Sequence, residues 1–411
     1  MTKIIILGGG FGGIRAALDL EKKLKHLTEQ GQAEITLIDK NSYHLFTPLL
    51  YEVASASDIA KDPFAVKLRK TVCIPYQDIF EGKNIKFIQS KVSKINLSER
   101  LIATGGGEDL SFDYLILAIG GQMEDFGVNG VKEYACQFKN IEDALLVNQK
   151  IEEITKKAAE NKKQTPIEIL ICGGGFTGVE LSAEIAGYIK KTGRVLVRLF
   201  EAGPKILPMV PDRERIKISK RLTKLGVAIM ENSAIEEVGA DFVKLKNGQR
   251  INGDLVIWTA GVKANEVLKF IEGLPLTEKG GIAVEGTMLA KGLKNIFAVG
   301  DIIEFIDPKT QRPVSAQAYT AIDQGKIAAR NIFNLICGKP LRFYKPFSGV
   351  WVSPVGGKYA VAYLLKSFIF GGLSGWIIRQ IIDLRYFFSI LSVKKALALF
   401  WEEVSLFIKN D

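Results

Sequence analysis

Two glycine clusters carry the clearest chemistry. Gly8, Gly10 and Gly13 stand at G-x-G-x-x-G spacing, and Gly173, Gly175 and Gly178 repeat it 165 residues later. At this spacing the first glycine permits a tight turn, the second lets a pyrophosphate approach the backbone, and the third lets helix and strand pack closely. The N–H groups and dipole of the helix that follows favour the phosphates. Each cluster is followed by an acid. Asp39 lies 26 residues after Gly13, and Glu201 holds the matching place in the second repeat. A carboxylate there accepts both hydroxyls of an adenosine ribose and repels a 2′-phosphate, so the second site should prefer NADH to NADPH. Two dinucleotide sites in one chain imply two dinucleotides, a bound flavin and a diffusing nicotinamide being the economical pair.

The elements that must position these residues also repeat. Ile4–Leu7 and Ile169–Cys172 are short apolar runs before the glycines, and Ile14–Lys25 and Val179–Lys190 are helix-forming stretches after them. Second strands run to the acids, over Ile35–Asp39 and Val195–Glu201, with Arg198 inside the latter's apolar pattern. Further strands are expected at Ile85–Val92, Tyr114–Ile119, Leu255–Gly261 and Asn295–Asp301. Helices are expected at Ile141–Asn161, Ala316–Leu335 and Gly371–Ile390, with a loop at Glu160–Pro166. The expected fold is α/β, with two Rossmann-like dinucleotide-binding domains and a C-terminal amphipathic helical region that associates with a membrane.

Composition narrows the partners. The net charge is +10, but Pro340–Asp411 alone holds nine basic and four acidic residues, half of that excess, with 15 of the 38 aromatics. A basic tail rich in aromatics points to a membrane surface rather than nucleic acid. The longest apolar run there, Ser367–Ile378, has 12 residues, whereas a crossing helix needs about 20. Neither a transmembrane helix nor a signal peptide is expected, because Met1–Leu7 runs straight into glycines as a buried first strand would. Cys73, Cys136, Cys172 and Cys337 form no CxxC pair, which argues against a disulfide framework or a metal site. Of the two histidines, His44 reads as structural and His26 as a helix-surface residue.

Beyond the first cluster, Leu115–Gly120 and Gly300-Asp301 resemble the later fingerprints of the two-dinucleotide flavoprotein superfamily. The segments Tyr43–Ala54, Gly173–Glu180 and the tail from Gly349-Val-Trp to Gly375-Trp376 resemble the type II NADH:quinone oxidoreductases, over essentially the whole chain. The resemblance implies an enzyme that passes hydride from NADH to FAD and two electrons to a membrane quinone, without pumping protons. It implies a peripheral protein of the respiratory chain on the cytoplasmic face of the cell membrane, and homodimers are usual in the family. It divides the chain into an FAD-binding domain (1–120 and 266–340), an NADH-binding domain (121–265) and a membrane-associating region (341–411).

The resemblance also assigns roles. Thr47 and Pro48 would lie against the flavin, Asp301 on its ribityl chain, and Glu180 near nicotinamide and flavin. Phe11, Gly12, Lys40, Val92, Ala118, Gly120, Phe176, Thr177, Gly261, Ala316 and Gln317 complete the expected cofactor-binding set. One departure stands out. The family's Ala-Gln-x-Ala-x-Gln segment before Gln-Gly, where quinone meets flavin, has no clean match in Ser315–Gly325. On a helix Gln317, Thr320 and Gln324 share one face and Tyr319 and Asp323 another; either face could serve the quinone. Arg379 sits where the family has a basic residue near the quinone entrance.

Three alternatives bound this reading. A thiol-disulfide reductase would need a cysteine pair in Tyr43–Val53, which has none. A sulfide:quinone oxidoreductase would draw on Cys136, Cys172 and Cys337. A non-enzymatic flavoprotein would bind NADH for signalling or scaffolding with slow turnover.

Overall fold

The computed structural model describes residues 1–56, 63–107, 109–160, 166–189, 195–347, 350–364 and 368–410. Lys190 and most of the 160–166 loop lie outside these. The chain forms two compact units, one of Met1–His44, Ile74–Gln122 and Val262–Ser348, the other of Leu45–Cys73, Met123–Gly261 and Gly349–Asp411.

The first unit is built on a five-stranded parallel sheet. Its order is Ile296–Ala298, Tyr114–Leu117, Thr2–Leu7, Ala33–Asp39, Lys86–Gln89. Register pairs Leu7 with both Ile38 and Leu117, so the strand feeding the first glycine loop is central. Ile4 to Leu7 are buried, as expected for a strand covered on both faces. The helix Phe11–Glu29 follows, and Ala318–Ile336 packs on it through glycine: a Cβ on Gly325 would lie 2.4 Å from the Gly12 carbonyl oxygen. The expected strand Ile85–Val92 is in fact divided. Lys86–Gln89 joins the parallel sheet, and the polar Ser90-Lys91 turns the chain. Val92–Asn96 then opens a separate antiparallel sheet with Leu101–Thr104 and Asp109–Ser111.

The second unit repeats the plan, in the order Cys136–Gln137, Leu255–Trp258, Ile167–Cys172, Val195–Phe200, Val227–Met230. The strand before the second glycine loop is again central. Leu170, Cys172, Phe200, Val256 and Trp258 make a core with Val243 and Leu245 from an antiparallel sheet over Ile235–Val238, Phe242–Leu245 and Arg250–Asn252. Arg198 reaches Glu168 on the neighbouring strand, Nε to Oε2 at 2.7 Å, and so has a structural partner.

The tail belongs to this unit. It begins as an antiparallel sheet of Trp351–Pro354, Ala360–Leu364 and Phe368–Gly372, then forms two helices, Leu373–Ile390 and Val393–Asn410. The helix expected from Gly371 thus starts two residues later. Gly371 and Gly372 pair with Val361 and Ala360, and Gly375 lets the helix lie on the sheet, since a Cβ there would stand 2.1 Å from the Ala360 oxygen. Among the described residues no helix is long and apolar enough to cross a membrane. The Leu373–Ile390 helix is nevertheless inverted for a protein in water. Arg379, Gln380 and Asp383 are buried, while Leu373 and Ile381 are 57% and 60% exposed. Ile377 and Phe388 continue that outer stripe, and Val393, Leu397 and Trp401 extend it on the next helix.

Candidate functional site

The two glycine loops close in the same way. Gly8 has φ +100° and Gly173 φ +121°, backbone that side chains rarely adopt. A Cβ on Gly8 would lie 2.4 Å from the Ala118 oxygen, and one on Gly173 2.7 Å from the Ala260 nitrogen. Gly13 and Gly178 are tighter still, a Cβ on either falling 1.9 Å from the oxygen of Gly8 or Gly173. The middle glycines differ: a Cβ on Gly10 or Gly175 would meet nothing within 4 Å. The space that a pyrophosphate needs is therefore open at the two positions where its backbone approach was expected, and closed where helix must meet strand. Both loops fit a dinucleotide.

The acids lie beside the loops. Asp39 accepts from the Gly9 N–H at 2.6 Å and the Asn41 N–H at 2.8 Å. Glu201 accepts from Gly174 at 3.0 Å and Gly203 at 2.7 Å. Each carboxylate is thus oriented by loop N–H groups at the end of the second strand. Beyond Glu201, a cavity of about 560 Å³ is lined by Pro204, Lys205, Pro208, Met209 and Arg215, among others.

Two side chains not singled out for binding hold the first loop. The Gly9 oxygen accepts from His44 Nδ1 and from the Tyr76 hydroxyl, both at 3.1 Å. His44 is fully buried, and burial lowers its pKa to about 4 against the pull of the Gly9 bond; the ring is neutral with its proton on Nδ1. Phe11 packs edge-on against it at 4.8 Å. His44 is structural, as expected, and His26 is exposed on its helix.

Elsewhere in the first unit, Gly120 and Gly300 take positive φ, and the Gly300 N–H donates to the buried Gln324 side chain at 2.8 Å. This ties Gln324 to the Gly300-Asp301 turn. Thr320 is buried on the same helix face. Gln317 caps the helix and is half-buried, as are Tyr319 and Asp323, while Ala316 is exposed. Asp323 pairs with Lys326 at 2.8 Å. Lys40 is exposed and Val92 half-buried.

In the second unit, Thr177 and Thr47 are exposed, Phe176 packs on Trp351 at 5.7 Å between centroids, and Gly261 has φ +71°. Pro48 offers its carbonyl to an Arg379 amine at 3.2 Å. Glu180, one turn into the loop helix, is half-buried. Burial pushes its carboxyl up to about 8; the Arg379 charge and the Ser353 hydroxyl oppose this, and Asp383 adds to it. Glu180 therefore holds a proton near neutral pH, unlike an ordinary surface glutamate. Tyr51, Asp383 and Glu403 surround Arg379 and were not singled out. The one sign in the sequence was an arginine and an aspartate four apart within an apolar stretch. Cys136 and Cys172 are buried, and burial pushes both thiols up, so neither is a ready thiolate. Among the described residues no cluster of metal-ligating side chains occurs.

A duplicated parallel sheet with a dinucleotide loop on each copy defines a two-dinucleotide oxidoreductase. The pyridine nucleotide-disulphide oxidoreductase profile matches residues 2–325. The type II NADH:quinone oxidoreductase of Haemophilus influenzae is 30% identical, over 84% of this chain and 83% of its own. That of Staphylococcus haemolyticus is 28% identical, over 94% and 96%. The fold matches NDH2 from Plasmodium falciparum, solved in complex with NADH, at TM-score 0.82 and 19% identity, covering 99% of this chain and 98% of that one. The chain belongs to the pyridine nucleotide-disulphide oxidoreductase family, among the type II NADH:quinone oxidoreductases.

Proposed function

We propose that the enzyme binds FAD on the Gly8–Gly13 loop and NADH on the Gly173–Gly178 loop, and reduces a membrane quinone. The observation that carries this is the paired opening at Gly10 and Gly175, each beside a carboxylate held for a ribose. FAD, when bound, accepts a hydride from NADH and passes two electrons to the quinone. The balance is NADH plus quinone plus one proton giving NAD⁺ plus quinol, so the protein must supply a proton. Asp39 and Glu201 fix the adenosine riboses, and Asp301 serves the ribityl chain. Thr47 and Pro48 face the flavin. Glu180 holds a proton on its carboxyl near neutral pH, the residue best suited to provide it.

At the altered quinone segment, Gln324 and Thr320 turn inward and Gln324 is engaged by Gly300. Gln317, Tyr319 and Asp323 are the polar side chains left for the quinone. The exposed stripe Leu373, Ile377, Ile381, Val393, Leu397 and Trp401 supports docking on a membrane surface; the cytoplasmic face of the cell membrane is carried by the family resemblance. The transfer proceeds without proton pumping, as the resemblance to the type II enzymes implies.

The test is anaerobic. NADH should bleach the flavin of the purified protein, and a short-chain quinone should restore its absorbance. Flavin that bleaches but is not reoxidised would falsify the quinone assignment. In parallel, Ile377→Asp with Ile381→Asp should abolish sedimentation with anionic vesicles while leaving bleaching intact.

A further inference from the structure

Glu201, the acid beside the second glycine loop, is itself held from the neighbouring strand. The Glu201 N–H donates to the carbonyl of Met230, the last residue of the strand Val227–Met230, at 2.9 Å. The three residues after Met230 then bind the stretch that begins at Glu201. Glu231 Oε1 accepts from the Ile206 N–H at 2.9 Å. The Asn232 N–H donates to the Gly203 carbonyl and the Ser233 N–H to the Glu201 carbonyl, both at 2.8 Å. Two of these three bonds are made by backbone and are open to most residue types. The Glu231 bond alone depends on a side chain.

The loop that Glu231 grips carries two groups of the nucleotide site. At its near end the Gly203 N–H donates to Glu201 Oε1 at 2.7 Å. At its far end the Leu207 N–H donates to the Gly174 carbonyl at 2.8 Å. Leu207 has φ +48°, a backbone that a leucine keeps only where its surroundings impose it. They impose it from both sides. Glu231 fixes the N–H just before, and the Leu207 carbonyl accepts from the Val210 N–H at 2.9 Å and from an Arg215 amine at 3.5 Å. Arg215 also donates to the Val210 carbonyl at 2.8 Å and pairs with Asp212. Ile206 is fully buried against Gly174, where a Cβ would lie 2.9 Å from its Cγ2. Among the described contacts the Ile206 N–H has no acceptor besides Glu231, and a buried N–H left without one is costly. Glu231 is exposed, and Lys205, beside Ile206 in sequence, pairs with Asp212 at 3.4 Å instead. The acid is thus spent on the loop.

We propose that Glu231 is a positioning residue for NADH: by holding the Ile206 N–H it sets the Gly203–Leu207 loop, and through it the Glu201 carboxylate and the Gly174 carbonyl. The proposal rests on the assignment of NADH to the second loop and names a residue outside the glycine motif that serves it. Glu231 acts through the loop, so what it must supply is an acceptor oxygen at the right reach. Charge is secondary. With the bond in place the loop is ordered before the nucleotide arrives, and binding need not bear the cost of ordering it. Without the bond that cost falls on binding.

The experiment titrates ADP-ribose into the oxidised full-length holoenzyme by calorimetry. This probe carries the adenosine ribose and the pyrophosphate but no nicotinamide ring, so no turnover occurs. Glu231→Ala should raise its Kd about fivefold, the loss of one hydrogen bond. Glu231→Gln keeps an acceptor at the same reach and should bind within about twofold of the unsubstituted protein. Glu231→Asp keeps the charge but is one methylene short, and should weaken binding as alanine does; it decides the matter if the alanine variant fails to fold. In steady state the loss should fall on the NADH KM rather than on kcat. Failure of the unsubstituted holoenzyme to bind ADP-ribose overturns the assignment of the second loop itself. Three results overturn the role of Glu231 while leaving that assignment intact. One is unchanged affinity in both Glu231→Ala and Glu231→Asp, whatever their unfolding midpoints. Another is equal weakening in Glu231→Gln and Glu231→Ala. The third is full affinity in Glu231→Asp with loss in Glu231→Gln, which would make charge the agent.

Discussion

The two glycine loops share a backbone plan but are braced by different means. In the first, the Gly9 carbonyl is held by side chains, His44 Nδ1 and the Tyr76 hydroxyl, and the Tyr76 ring occupies the space beside Gly9. In the second, the matching Gly174 carbonyl accepts from the Leu207 N–H at 2.8 Å, and Glu201 and Ile206 fill the corresponding space. The first loop is therefore set by residues 35 and 67 positions away, the second by the stretch just after its own acid. A side-chain brace buried in a core resists movement. The second brace is buried too, Ile206 and Leu207 both being fully buried, but it comes from a backbone N–H close in sequence. The two loops thus differ in the range of their braces, side chains from distant residues in one and nearby backbone in the other, and not in burial.

Substitutions can break or sharpen this comparison. The largest effect is expected where the loops are alike. Gly13→Ala and Gly178→Ala each force a Cβ against a backbone oxygen, and each should cost about 3 kcal/mol or more in thermal or denaturant unfolding. Tolerance at one position and not the other would break the structural equivalence. Next come the open glycines. Gly10→Ala and Gly175→Ala should both fold with little loss of stability. The first should purify with most of its FAD missing; the second should remain yellow and show an NADH KM raised about tenfold or more. Loss of flavin from Gly175→Ala would reverse the assignment of the loops.

Glu201→Ala should shrink the preference for NADH over NADPH, as the ratio of kcat/KM values, by roughly tenfold, because a repelled phosphate is no longer opposed by a carboxylate. An unchanged ratio would remove the cofactor argument from Glu201. The smallest effects test the braces. Tyr76→Phe or His44→Gln deletes or weakens one bond to Gly9, worth about 1 kcal/mol, so FAD should dissociate about fivefold more readily on equilibrium dialysis. His44 adds a pH signature. Its folded pKa, about 4, lies below the unfolded value of 6.5, so acidification from 6.5 toward 4 protonates the unfolded chain first. Stability should fall across that window and flatten below it. Urea midpoints of His44→Gln should lose that part of the slope.

Much of this design was readable from local pattern. The apolar runs before each glycine cluster, the acids at the next strand ends and the spacing of Gly8, Gly10 and Gly13 are short-range features, and each appears where the chain chemistry requires it. The missing pieces are long-range. Nothing near Gly9 announces that Tyr76 will reach its carbonyl. Nothing in Trp401-Glu-Glu announces that Glu403 will be buried, because that burial exists only once the two tail helices pack. The tail strands were hidden for another reason. Trp351–Pro354 and Ala360–Leu364 are short and rich in aromatics and glycine neighbours, a composition that suits an interfacial segment equally well. At Gly371 the helical pattern of apolar residues overran the boundary, since Gly371 and Gly372 still serve the sheet. The substitution of the family's glutamines left two helix faces open in the sequence; the bond from Gly300 to Gln324 shows which face is committed to the turn.

The inverted tail helix has a consequence for the molecule as a material. Ile377, Ile381 and Ile382 face outward while Arg379 and Asp383 face inward, so the surface tension of this patch in plain buffer is high, and it falls only when the patch is covered. The state of the purified protein should then depend on concentration and on amphiphile, dispersing with detergent and clustering on dilution of it. The solvent becomes in effect a component of the tail's structure.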